Sequence, residues 1–172
     1  MFFGELRAVY LPAPYRRSLE QQLGNRIPAR PFVANRLAVS AALDRDPETA
    51  LRILEAALRE VPRAELLNNR AAVRWQLGDR EGARADLRQA LGLAPALAPA
   101  LLNLAVLQER AGSADATRTR TRAQQAQTET PRGFPYGVGN GDMRQPANFR
   151  WMLQIEPGAL QLWRPPGART VP

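Results

Sequence analysis

The chain has no cysteine and no histidine among its 172 residues. The first absence excludes disulfides, thiolate metal sites and thiol nucleophiles, and leaves no inference about redox compartment. The second removes the commonest general base near neutral pH and the commonest metal ligand. Lysine is absent too, so all 24 basic residues are arginine. Only three serines occur, at positions 18, 40 and 113, and no carboxylate pair has a spacing that implies a shared cleft. No catalytic constellation therefore emerges, and the expectation is a protein that is not an enzyme and needs no cofactor or metal. No window reaches the roughly 18 to 20 apolar residues of a membrane span. The first residues, MFFGELRAVYLPAP, lack a basic n-region, a long apolar stretch and a small-residue cleavage site, so the expected location is the cytoplasm.

An arginine-only, Ala- and Pro-rich composition matches the residue usage of a GC-rich bacterial genome, which by itself can raise the isoelectric point to 11.3. The placement of charge says more. Residues 31–116 hold 11 Arg against 11 Asp plus Glu, whereas residues 1–30 carry a net +3 and residues 117–172 a net +5. All the excess positive charge lies in the flanks of a balanced middle.

That middle repeats. Asn35-Arg-Leu-Ala-Val, Asn69-Arg-Ala-Ala-Val and Asn103-Leu-Ala-Val-Leu place an asparagine at intervals of 34 residues. Each unit reads as two helices. Leu66, Leu67, Arg70, Ala71 and Ala72 begin one that stops at Gly78, where a left-handed residue can end a helix. Asp79 is placed to cap the next, with Ala83, Leu87, Ala90 and Leu91 at helical spacing before Pro95. In the preceding unit Asp46-Pro47-Glu48 supplies a cap, a first-turn proline and an acidic first turn, followed by Leu51, Leu54 and Leu58. Upstream, PYRRSLEQQLG reads as a further helix ending at Gly24, with Leu19 and Leu23 as its buried pair.

With Leu67, Ala71, Gly78, Asp79, Ala83, Leu87, Ala90 and Pro95 in order, residues 64–97 resemble the tetratricopeptide repeat (TPR) family, and the resemblance extends over about residues 30–126. Arg70 stands where the family usually has leucine, and aromatics are scarce. The resemblance implies an all-α fold, a short α-solenoid of about two and a half helix-turn-helix units. The expected organisation is an N-terminal arm with one helix (1–29), the repeats (30–127) and a Pro/Gly-rich connector with an aromatic, basic extension (128–172). The third unit ends in ADATRTRTRAQQAQ, whose only apolar residues are alanines, as suits a solvent-facing cap.

The same resemblance implies a groove lined by the first helix of each pair. Carried over by position, it comprises Ala34, Ala38, Ala41 and Ala42; Glu65, Asn68, Ala72, Trp75 and Gln76; and Leu102, Val106, Glu109 and Arg110. One candidate base, Arg110, argues against a clamp for a terminal carboxylate. Trp75 reads as a packed residue or as an anchor for a partner, tryptophan being enriched at hot spots, and the repeated asparagine reads more naturally as structural than as a ligand. Asp44, Asp46 and Glu48 are explained by capping. Gly137 to Asp142 lacks the residues of a phosphate or calcium loop and reads as a connector.

Of eleven aromatics only Trp75 lies well inside the repeats, with Phe32 at their border. Among the rest, the stretch Phe149 to Pro165, FRWMLQIEPGALQLWRP, alternates apolar and polar residues about Pro157-Gly158. With Glu156 to Ala159 as the turn, Ile155 faces Leu160, Leu153 faces Leu162, Met152 faces Trp163, and both strands agree on one apolar face. This predicts a β-hairpin. Pro-Gly favours a type II turn where tight hairpins prefer the primed types, which predicts a wider, bulged turn. A lone hairpin is marginal in water, so its apolar face needs a cover: the repeat body, the segment FFGELRAVYL, or, as the favoured reading, another protein.

The functional expectation is a non-catalytic protein–protein interaction module or assembly subunit, with Trp75, Asn68, Leu102, Val106, Arg110, Phe149, Trp151 and Trp163 as partner-binding residues. A peripheral contact with a membrane or membrane protein is compatible with the basic flanks. The alternative is a binder of nucleic acid or an anionic surface through the Arg-rich flanks, Arg118, Arg120 and Arg122 among them. It is the weaker reading, because no aromatics interleave these arginines.

Overall fold

The computed structural model describes residues 31–129 and 152–163. Within them the chain forms six helices and one hairpin: α1 (Pro31–Leu43), α2 (Pro47–Glu60), α3 (Ala64–Gln76), α4 (Arg80–Leu93), α5 (Ala98–Arg110), α6 (Ala116–Glu129), β1 (Leu153–Glu156) and β2 (Ala159–Leu162). The fold is all-α with a C-terminal hairpin. The upstream helix expected near Gly24 and the connector at Gly137 to Asp142 lie outside the described residues.

The helix boundaries follow from local chemistry. Asp46 Oδ1 accepts a hydrogen bond from Thr49 N–H at 3.3 Å and opens α2; Asp79 Oδ1 accepts from Gly82 N–H at 2.9 Å and opens α4. The three first helices end alike. Gly78 (φ +88°) and Gly112 (φ +66°) take the left-handed conformation, and the next residue donates back across the last turn, Asp79 N–H to Arg74 O at 2.9 Å and Ser113 N–H to Gln108 O at 2.9 Å. At the equivalent place after α1 stands Arg45, with φ +61°, and Asp46 N–H donates to Ala41 O at 2.9 Å. A non-glycine residue is strained in that conformation.

Each first helix packs on its own second helix, α1 on α2, α3 on α4 and α5 on α6, and successive pairs stack through α2 on α3 and α4 on α5. Alanines make this close approach feasible: Ala34, Ala38, Ala41, Ala71, Ala72, Ala100 and Ala105 are all buried. The apolar stripe of α2 centres on Ala50, Ile53, Leu54 and Ala57, with Leu51 and Leu58 at its margins. Helix α6 is polar outward, yet it seats Ala116, Thr119, Ala123 and Ala126 inward, and the last two join Ala98 and Leu101 in a small second core.

Arg70 is explained by a partner in the next helix. Its guanidinium donates to both carboxylate oxygens of Asp86, at 2.8 and 2.6 Å, and Arg74 adds a third bond at 3.0 Å. Asp86 is 2% exposed. Two cations and three charge-assisted hydrogen bonds around one buried carboxylate tie α3 to α4 where leucine would only pack.

The strands pair antiparallel in the register expected from the sequence: Leu153 with Leu162, Gln154 with Gln161, Ile155 with Leu160, Glu156 with Ala159. The turn is tighter than expected. Only Pro157 and Gly158 separate the closing pair, with Gly158 at φ +85°; proline holds its own φ near −65°, and together these are the dihedral signs of a type II turn. No bulge intervenes. The hairpin lies on the first helices, β1 against α3 and α5 and β2 against α1 and α3, so second helices, first helices and hairpin form three successive layers.

Candidate strand-binding groove

The first helices carry four asparagines that are completely buried: Asn35 on α1, Asn68 and Asn69 on α3, Asn103 on α5. A buried primary amide has two donors and an acceptor to satisfy, and leaving them unmet is costly. They meet one another and the backbone of β1. Asn69 Nδ2 donates to Asn35 Oδ1 at 2.7 Å, Asn68 Nδ2 to Asn69 Oδ1 at 3.2 Å, and Asn103 Nδ2 to Asn68 Oδ1 at 2.9 Å. This chain of amides runs across all three first helices. Toward the hairpin, Leu153 O accepts from both Asn68 Nδ2 (3.0 Å) and Asn103 Nδ2 (2.9 Å). Leu153 N–H donates to Asn69 Oδ1 and Ile155 N–H to Asn103 Oδ1, each at 2.7 Å.

The geometry of the ladder explains why those groups are available. Trp163 N–H donates to Met152 O at 2.7 Å, so pairs 152/163, 154/161 and 156/159 exchange the interstrand bonds. Leu153 and Ile155 fall in the alternate pairs, whose N–H and C=O point away from the partner strand. The asparagines therefore serve the outer edge of β1 as a third strand would. The side chains of Leu153 and Ile155 are 0% and 1% exposed, while Leu160 and Leu162 on β2 are half-buried. Each fully buried aliphatic side chain is worth about 1.5–3 kcal/mol. The cover that β1 needs is the chain's own repeat body, not another protein.

The residues singled out from the sequence fall in three places. Asn68 is in the groove, under β1. Trp75 is half-buried at the end of α3, with the guanidinium of Arg80 5.6 Å and that of exposed Arg110 6.0 Å from its ring centroid, within range of cation–π attraction. Leu102 and Trp163 pack against the small core shared with α6, while Val106 packs against the main core. Phe149 and Trp151 lie outside the described residues. Among the repeated asparagines, Asn69 and Asn103 bind the strand edge directly, a role their 34-residue spacing signalled but did not define. Of the arginines proposed to meet phosphate, Arg120 makes a two-pronged contact with Glu109 at 2.7 and 2.8 Å, and Arg118 lies 3.5 Å from Asp115.

No helix among the described residues is long and apolar enough to cross a membrane. Compared with protein-family models and with curated proteins, the chain matches none.

Proposed function

We propose that this chain is a non-catalytic protein–protein interaction module or assembly subunit, a platform of paired helices of TPR-like design. The observation that carries the reading is the row of asparagines holding β1 by its backbone. Four hydrogen bonds and two buried aliphatic side chains are the apparatus of strand recognition, where main-chain bonds give affinity and alternate pockets give selectivity. Outside the groove, Trp75 with Arg80 and Arg110 forms a second contact surface. Tryptophan and arginine are the residue types over-represented where interfaces concentrate their energy.

The runner-up, a binder of nucleic acid or an anionic surface through the Arg-rich flanks, loses support on α6, where Asp115 and Glu109 already face Arg118 and Arg120.

The test is cross-linking of the full chain in its native cell, followed by quantitative mass spectrometry of what co-purifies. Replacing Trp75 and Arg110 together by alanine is expected to reduce recovery of at least one protein several-fold while the helical content persists. Unchanged recovery of every co-purifying protein would count against the module reading.

A further inference from the structure

We propose that the hairpin is an exchangeable occupant of the asparagine groove, which receives in its place an extended segment of a partner protein bearing two apolar side chains two residues apart. This rests on the interaction-module reading and gives the partner its chemistry.

Among the described residues, Asn68, Asn69 and Asn103 meet main-chain atoms across the groove: the N–H and C=O of Leu153 and the N–H of Ile155. Every strand of L-residues without proline at those two positions offers the same groups on one edge. Within β1, side-chain selection falls on the sites that bury Leu153 and Ile155, which demand only an apolar residue at alternate positions; Leu160, Leu162 and Trp163 add partial packing from the second strand. Between them Gln154 is only half-buried, and its amide donates to Glu156 at 2.6 Å within the hairpin, not to a helix. The groove thus reads backbone and periodicity rather than identity.

The hold on the hairpin is also one-sided. β1 is buried, but Pro157, Gly158, Ala159 and Gln161 are exposed and Leu160 and Leu162 only half-buried. Release of the hairpin strips four amide–backbone bonds from buried asparagines, and an incoming strand restores the same four. The exchange is therefore close to isoenergetic in hydrogen bonding. What favours the resident strand is its covalent attachment to the same chain, together with the packing of Leu160, Leu162 and Trp163 on the helices. A tether supplies an effective concentration on the order of millimolar and an advantage of roughly a hundredfold or more over a free competitor.

The experiment cuts that tether. A protease site is inserted within residues 130–151 of the full chain, the purified protein is cleaved, and a fluorescein-labelled peptide FRWMLQIEPGALQLWRP is added in excess. The peptide is expected to enter the cleaved chain and to bind the uncleaved chain roughly a hundredfold more weakly. A second peptide with Leu153→Val, Gln154→Thr and Ile155→Val is expected to bind within about tenfold of the first, since backbone and periodicity are kept. A third, methylated on the nitrogens of Leu153 and Ile155, keeps every side chain and every interstrand bond of the hairpin, and is expected to lose binding.

Equal binding of the methylated peptide would overturn the proposal, as would a cleaved chain that stays folded by circular dichroism but never takes up label. A stable dimer with reciprocally exchanged hairpins, detected by light scattering, would assign the groove to a second copy and overturn it as well. Failure here with intact partner recovery from cells leaves the module reading standing. Successful exchange with no recoverable partner would overturn that reading instead.

Discussion

Asn103 makes two of the four bonds that join platform to strand, donating to Leu153 O and accepting from Ile155 N–H, and it donates a third bond to Asn68 Oδ1 within the platform. Asn103→Ala removes all three and leaves buried partners unmet, so unfolding in urea is expected to show a loss of about 2–4 kcal/mol. Asp86→Ala is expected to be comparably severe, about 2–4 kcal/mol, because it strands the half-buried guanidinium of Arg70 and leaves Arg74 only its longer contacts with Glu55, Asp79 and Gly82 O, whereas Arg70→Leu leaves Asp86 paired with Arg74 and costs less. Equal effects of the two changes would contradict the assignment of Asp86 as the hub. Both features were half-legible. The 34-residue recurrence of asparagine was plain, but its use was not, since the strand it serves lies 50 residues beyond Asn103 in sequence. Arg70 looked like a mere departure from the repeat pattern because its partner Asp86 sits on the next helix.

At the scale of elements, the caps were the most legible feature. Asp46, Gly78 and Asp79 act by local chemistry and end or start helices where their positions in the sequence indicate. Arg45 escaped notice because only its place relative to Gly78 and Gly112 reveals it. Arg45→Gly relieves a left-handed arginine and is expected to stabilise the chain by about 1 kcal/mol, read as a rise in thermal midpoint; a fall would show that the Arg45 side chain matters more than its backbone strain. The hairpin register was legible from alternation alone, whereas the turn was not, because seating against the helices tolerates a type II turn in a two-residue loop. Gly158→Ala meets no neighbouring atom within 4 Å, so its expected cost of about 1 kcal/mol arises from φ +85° alone. That cost should appear in hairpin seating before it appears in the helices.

For the whole molecule, the decisive fact is that a strand from the C-terminal region closes the face formed by the first helices. Alternation of apolar and polar residues indicated that the hairpin needed a cover, and the family resemblance implied a groove along the first helices; neither carried the information that one fits the other, since that depends on backbone groups common to every sequence. The same arrangement explains why Asn68 is inaccessible while Trp75 and Arg110 are not. It also makes hydrogen exchange at two amides the most direct test of the central claim. In a hairpin standing alone, the N–H groups of Leu153 and Ile155 point away from β2 and exchange freely, while those bonded across the ladder are retained. Seated on the platform, the same two amides are bonded to Asn69 and Asn103. Exchange followed by NMR is predicted to find Leu153 and Ile155 as protected as Trp163, with Asn69→Ala abolishing protection at Leu153 and Asn103→Ala at Ile155. Free exchange at Leu153 and Ile155 in the unaltered chain would contradict the account.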